Sequence, residues 1–144
     1  MSASIVDPDL IARAADVLRG GGLVAFPTET VYGLGGDATS DEAVAKIFAA
    51  KGRPSHNPLI VHVRDAGWVA GMAQPDGRFD KLARAFWPGP LTIGVRRSGR
   101  IPEIVTAGGP TVAVRWPAHP VIQAVIRECG FPLAAPSANL STQL

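Results

Sequence analysis

Cysteine is almost absent: Cys129 is the only one in 144 residues. No internal disulfide can form, and a reducing cytoplasm is the expected setting. No second cysteine supports His56, His62 and His119, and these histidines lack helical pair spacing, so no structural metal site is expected. Long hydrophobic runs are missing too. None approaches the roughly 20 apolar residues needed to cross a bilayer, so no membrane association is expected. The opening Met1-Ser2-Ala3-Ser4-Ile5-Val6-Asp7-Pro8-Asp9 carries acids and no basic stretch, unlike a secretion signal. Strong charge of one sign is also lacking. Fourteen basic against twelve acidic side chains leave +2. That is too little to argue nucleic-acid binding, although a pI near 9.1 permits it.

Several familiar chemical signatures are absent as well. The chain has no GxxxxGK[ST] phosphate loop and no GxGxxG after a strand. It has no G-x-S-x-G elbow and no Cys-His arrangement in motif context.

What is present is apolar material and punctuation. Hydrophobic residues make up 47% and charged residues 18%, a balance that supports a core rather than disorder. The length suits one domain, expected to span residues 1–144. Thirteen prolines and sixteen glycines divide the chain into short elements. Asp7-Pro8 predicts a helix start, and Leu10, Ile11, Ala14, Val17 and Leu18 recur at helical spacing up to Gly20-Gly21-Gly22. Leu23 to Phe26 reads as a buried strand, and Ser40 caps a helix whose stripe is Val44, Ile47 and Phe48, ending at Gly52. Leu59–Val63, Leu91–Val95 and Thr111–Val114 read as strands. Helices are predicted from about Arg78 to Phe86 and from Pro120 to Cys129, the second closed by Gly130, before Leu133-Ala134-Ala135. Strands and helices interleave throughout, which predicts an α/β domain with a mixed sheet.

Four polar segments lie beside predicted strand ends, where open α/β sheets usually hold ligands. Pro27 to Gly35 sets two hydroxyls, a carboxylate and a phenol in a glycine-containing loop; an ordinary turn with threonines bonding their own backbone explains it equally well. Lys51-Gly52-Arg53-Pro54, followed by Asn57-Pro58, sets two cations where a helix ends. They suit a phosphate, or simply the helix C-terminus, which favours cations by roughly 0.3–1 kcal/mol. His62 alternates with Val61 and Val63, as a core histidine or a ligand contact. Thr111, Ala113 and Arg115 share a strand face, and Arg115 needs a carboxylate from the protein or from a ligand. Ser137 and Asn139 point the same way on an extended backbone, toward a phosphate or in a turn cap.

At these same residues the chain resembles the YrdC-like threonylcarbamoyl-AMP synthases. The matching pieces are PTETVYGLG from Pro27, KGRP from Lys51, NPLIVHV from Asn57, WPGPLT from Trp87, TVAVRWP from Thr111 and APSAN from Ala135. They follow the family's order between about Leu18 and Asn139, which makes chance a poor explanation. The resemblance implies a single YrdC-like domain: a twisted mixed sheet, surrounding helices and a central basic cleft. It implies a nucleotidyltransferase that joins L-threonine, bicarbonate or carbon dioxide, and ATP (with Mg²⁺) into threonylcarbamoyl-AMP and pyrophosphate. A partner transferase would then pass the threonylcarbamoyl group to the adenosine beside the anticodon of ANN-decoding tRNAs.

By the same resemblance, L-threonine is expected near Thr30, His62, Arg115 and the Ala135 backbone. ATP is expected along Lys51, Arg53, Asn57, Thr111, Ser137 and Asn139, with Lys51 and Arg53 as the catalytic pair. Family members continue past the SAN piece, whereas this sequence stops five residues after Asn139, so the usual C-terminal part is expected to be lacking. Two other readings stay open. One is a noncatalytic module for double-stranded RNA or tRNA, to which Arg96, Arg97 and Arg100 would contribute. The other is the related domain of hydrogenase-maturation carbamoyltransferases, which are much longer and carry cysteine-rich zinc motifs.

Overall fold

Asp7 accepts a hydrogen bond from the Asp9 amide at 2.9 Å and Pro8 takes the first helical position, so the chain enters helix α1 (Pro8–Arg19) where local chemistry directs it. The computed structural model describes residues 7–27, 32–51 and 58–136. After α1 come strands β1 (Val24–Pro27) and β2 (Tyr32–Asp37), helix α2 (Asp41–Lys51) and strand β3 (Ile60–His62). Strand β4 (Ala73–Gln74), helix α3 (Gly77–Phe86), strands β5 (Ile93–Arg97) and β6 (Thr111–Arg115), helix α4 (Pro120–Cys129) and strand β7 (Leu133–Ala135) complete the order. Short 3-10 turns cover Ala66–Gly71 and Glu103–Thr106.

Local chemistry marks several of the helix ends. The Ser40 hydroxyl accepts from the Ala43 amide at 3.1 Å at the head of α2. Asp76 accepts from the Arg78 and Phe79 amides at the head of α3, and the Phe79 bond first, then the Arg78 guanidinium, lower its carboxyl pKa from the ordinary value. Gly130 ends α4 with φ 82°, a left-handed turn that glycine adopts without a Cβ clash.

The seven strands form one mixed sheet in the order β1-β2-β7-β3-β6-β5-β4. Only β3 and β6 are parallel; the other pairs run antiparallel. Alternation along the strands assigns two cores. Val61, Val112, Val114, Ile93, Val95 and Ala134 bury against α2, α3 and the 3-10 turns on one face. Leu133 and Ala135 face the other way and bury with Ile11, Ala15 and Leu18 of α1 and Ile122, Val125 and Ile126 of α4. Fully burying a side chain such as Leu18 or Ile126 contributes about 1.5–3 kcal/mol.

Three expectations are corrected. The Leu23–Phe26 segment is not a buried strand: β1 lies at the sheet edge, pairs only with β2, and leaves Ala25 exposed. The glycine-rich stretch from Tyr32 is not loop but strand, paired with β1 and β7. Its glycines conceal that, and Gly36 has a packing reason, because a Cβ there would lie 2.8 Å from Leu23 Cδ2. Finally, Leu10 and Val17 do not join the buried stripe of α1; they are 57% and 46% exposed, and Ile11, Ala15 and Leu18 carry the contact.

Candidate functional site

In-register partners on neighbouring strands share a face, so the sheet itself gathers polar groups. His62 pairs with Arg115 of β6 on one side and with Leu133 of β7 on the other. Ile60 pairs with Ala113 and with Ala135. Thr111 and Arg115 lie on one side of β6, four residues apart, which is about 13 Å along the strand. Thr111, Arg115, His62 and Ala135 therefore look out from a single face.

Helices α1 and α4 cover that face over β1, β2 and β7, where Leu133 and Ala135 bury. Toward β5 the face opens: Thr111, Gly94 and Arg96 are exposed and Ala113 is half-buried. A Cβ built on Gly94 meets nothing within 4 Å. A groove of about 570 Å³ lies at the β5 edge of the sheet, lined by Thr92, Gly94, Arg96 and Thr111 of this face together with Ile93, Val95 and residues of α3 from the other.

The ends of the strands converge as well. Strand β7 finishes at Ala135 beside Ile60, near the start of β3, and β6 starts at Thr111 on that same side. Strand β2 runs antiparallel to β7, so its Tyr32 end lies toward Ala135. The chain thus leaves β7, enters β3 and enters β2 at one end of the sheet.

His62 is 3% exposed. Burial first, and then the Arg115 charge, push its pKa from 6.5 down to about 3, so the imidazole is neutral at physiological pH. Its Nδ1 has no hydrogen-bond partner among the described residues. Leaving a buried polar atom unsatisfied costs about 1–3 kcal/mol, which a ligand able to bond it would recover.

Arg115 finds a partner that the sequence did not suggest. Its Nε and Nη2 both donate to Thr92 Oγ1, at 2.9 and 2.6 Å. Thr92 lies just before β5, and the Ile93–Val114 pairing brings it alongside Arg115. Sequence reasoning assigned no role to Thr92, because strand register alone makes the two neighbours. The available signal was a β-branched hydroxyl at the mouth of an apolar strand, inside the WPGPLT piece.

Lys51 is the last residue of α2, within the helix and at its end. Thr30, Arg53, Asn57, Ser137 and Asn139 lie outside the described residues. No helix among the described residues is long and apolar enough to cross a membrane.

Comparison with known proteins adds a family. The Sua5, YciO and YrdC family model, described as Telomere recombination, matches residues 16–144. The threonylcarbamoyl-AMP synthase of Bacillus subtilis (strain 168) is 53% identical over 137 residues, covering 94% of this chain and 39% of that protein. The threonylcarbamoyl-AMP synthase of Halorhodospira halophila is 40% identical over 137 residues, covering 94% of this chain and 72% of its own length. Among solved structures, P. abyssi Sua5 complexed with L-threonine superposes with a TM-score of 0.89 at 47% identity. That match covers 94% of this chain and 40% of the Sua5 chain. The chain therefore spans about 40% of the length of several of the proteins it matches.

Proposed function

The chain belongs to the Sua5, YciO and YrdC family, and from that premise we propose that it is the amino-acid- and nucleotide-binding domain of a threonylcarbamoyl-AMP synthase. The observation that carries this reading is the shared sheet face of Thr111, His62, Arg115 and Ala135, open on the β5 side, with three strand ends meeting at its border. The likeness to Sua5 complexed with L-threonine supports it.

In this reading the Arg115 guanidinium takes the L-threonine carboxylate through charge-assisted bonds. The neutral His62 imidazole bonds the amino acid without adding a second positive charge. Thr30 and the Ala135 backbone complete that subsite. Lys51, Arg53, Asn57, Thr111, Ser137 and Asn139 hold ATP, taken as its Mg²⁺ complex with the metal on the phosphate oxygens, as this ion usually binds.

The threonine amine adds carbon dioxide and loses a proton, forming a carbamate. A carbamate oxygen attacks the α-phosphorus, the bond to the β-phosphate oxygen breaks, and pyrophosphate leaves. This is nucleotidyl transfer, and no protein nucleophile is required. The protein's task is to hold two anions together and stabilise charge moving onto pyrophosphate, the role assigned to Lys51 and Arg53. The product would pass to a tRNA threonylcarbamoyltransferase. A buried lone thiol at Cys129 suits a reducing cytoplasm as the place of this work.

The test is pyrophosphate release from ATP, Mg²⁺ and bicarbonate, with and without L-threonine. Threonine-dependent release is expected. No release from folded protein that binds RNA with steep salt dependence would replace this reading with an RNA-binding module. Within the assay, Arg53→Ala is expected to lose about 2–4 kcal/mol of transition-state stabilisation. Activity within about threefold of the parent, less than about 1 kcal/mol, removes Arg53 from its role.

A further inference from the structure

The assignment of Arg115 leaves open how a long, flexible cation is aimed. We propose that Thr92 is its positioning residue: the Thr92 hydroxyl holds the Arg115 guanidinium in the orientation that receives the amino-acid carboxylate. The inference about aim rests on the functional reading above; the inference that Thr92 holds Arg115 does not.

The geometry is specific. Guanidinium is planar, with two edges that fit a carboxylate, one formed by Nε and Nη2 and the other by the two Nη atoms. Thr92 Oγ1 accepts from both Nε (2.9 Å) and Nη2 (2.6 Å), so a single oxygen occupies the first edge and fixes the plane. The hydroxyl is itself well held. Thr92 is β-branched, half-buried and directly before β5, so its χ1 has little freedom. A hydroxyl also suits the task better than a carboxylate would. It orients the cation without neutralising it. Arginine loses rotamer freedom when it closes on a ligand, and holding it beforehand removes that cost from binding.

Thr92→Val keeps the shape and removes the acceptor, whereas Thr92→Ser keeps the acceptor. The first measurement is hydrogen exchange at the Arg115 Nε–H by NMR on the full chain, with thermal melts checking that each variant folds. Slow exchange in the parent, lost in Thr92→Val and regained in Thr92→Ser, is expected; equal exchange in parent and Thr92→Val overturns the proposal. The second measurement titrates the same proteins with L-threonine and, separately, with a nonhydrolysable ATP analogue. Loss of a preorganised contact is expected to weaken threonine binding about tenfold in Thr92→Val, leave the nucleotide within about twofold, and be largely restored in Thr92→Ser. A merely structural role would move both ligands together. Unchanged threonine affinity in Thr92→Val overturns the aiming role. A parent that takes up no L-threonine counts against the functional reading and the aiming role, and the exchange measurement still decides whether Thr92 holds Arg115.

Discussion

His62 and Arg115 are register partners on the parallel strands β3 and β6, so a nearly fully buried imidazole sits beside a guanidinium on the same sheet face. Burial and the neighbouring cation both oppose its protonation. Unfolded, the imidazole has its ordinary pKa of 6.5; folded, it titrates at about 3.

Acid should therefore weaken the fold through this group. Between the two pKa values the unfolded chain binds a proton that the folded chain does not, so stability rises with pH. The contribution is complete above about pH 6.5 and is lost progressively as pH falls toward 3. Each pH unit in that window is worth at most about 1.4 kcal/mol, so acidification from pH 6.5 to 4.5 costs on the order of 3 kcal/mol through His62. Urea unfolding of the parent and His62→Gln at both pH values isolates it. An equal pH dependence in the two proteins would exclude His62 as the acid-sensitive group.

Lysine should not replace Arg115. Lysine keeps the charge but lacks the planar fork that bonds Thr92 and that the proposed threonine subsite calls for. Arg115→Lys is expected to weaken L-threonine binding by about 1.5–3 kcal/mol, the range for hydrogen bonds to charged groups, while the melting temperature changes little. Calorimetric titration checks the affinity. Parental affinity in the lysine variant would show that charge alone suffices.

The corrected face of α1 can be read directly from stability. Leu18 is 1% exposed and Leu10 is 57% exposed, although both belonged to the stripe expected from periodicity. Leu18→Ala should cost about 2–5 kcal/mol, whereas Leu10→Gln should stay within about 0.5 kcal/mol. Denaturant midpoints measure both. A large loss at Leu10 would mean that a further contact covers that side of the helix.

Much of the fold was legible because its signals are local. Asp7, Ser40 and Asp76 bond backbone amides within three residues, and Gly130 closes α4 through its own φ, so helix ends depend on chemistry close in sequence. Strand β2 was missed for the same reason. Its glycines carry a loop-like local signal, and only pairing with β1 and β7 makes that stretch a strand. The two-residue β4 and the 3-10 turns are too short to have a period.

The site divides along the same line. From the sequence alone came the α/β class, the spacing that puts Thr111 and Arg115 on one strand face, and the polar segments at strand ends, because alternation and turn chemistry operate over a few residues. Tertiary structure alone decided that His62 stands beside Arg115, that Thr92 holds it, and that the face opens toward β5. Those relationships join segments far apart in the chain. They depend on strand order and register, and a register slip of one residue would turn every side chain of a strand to the opposite face.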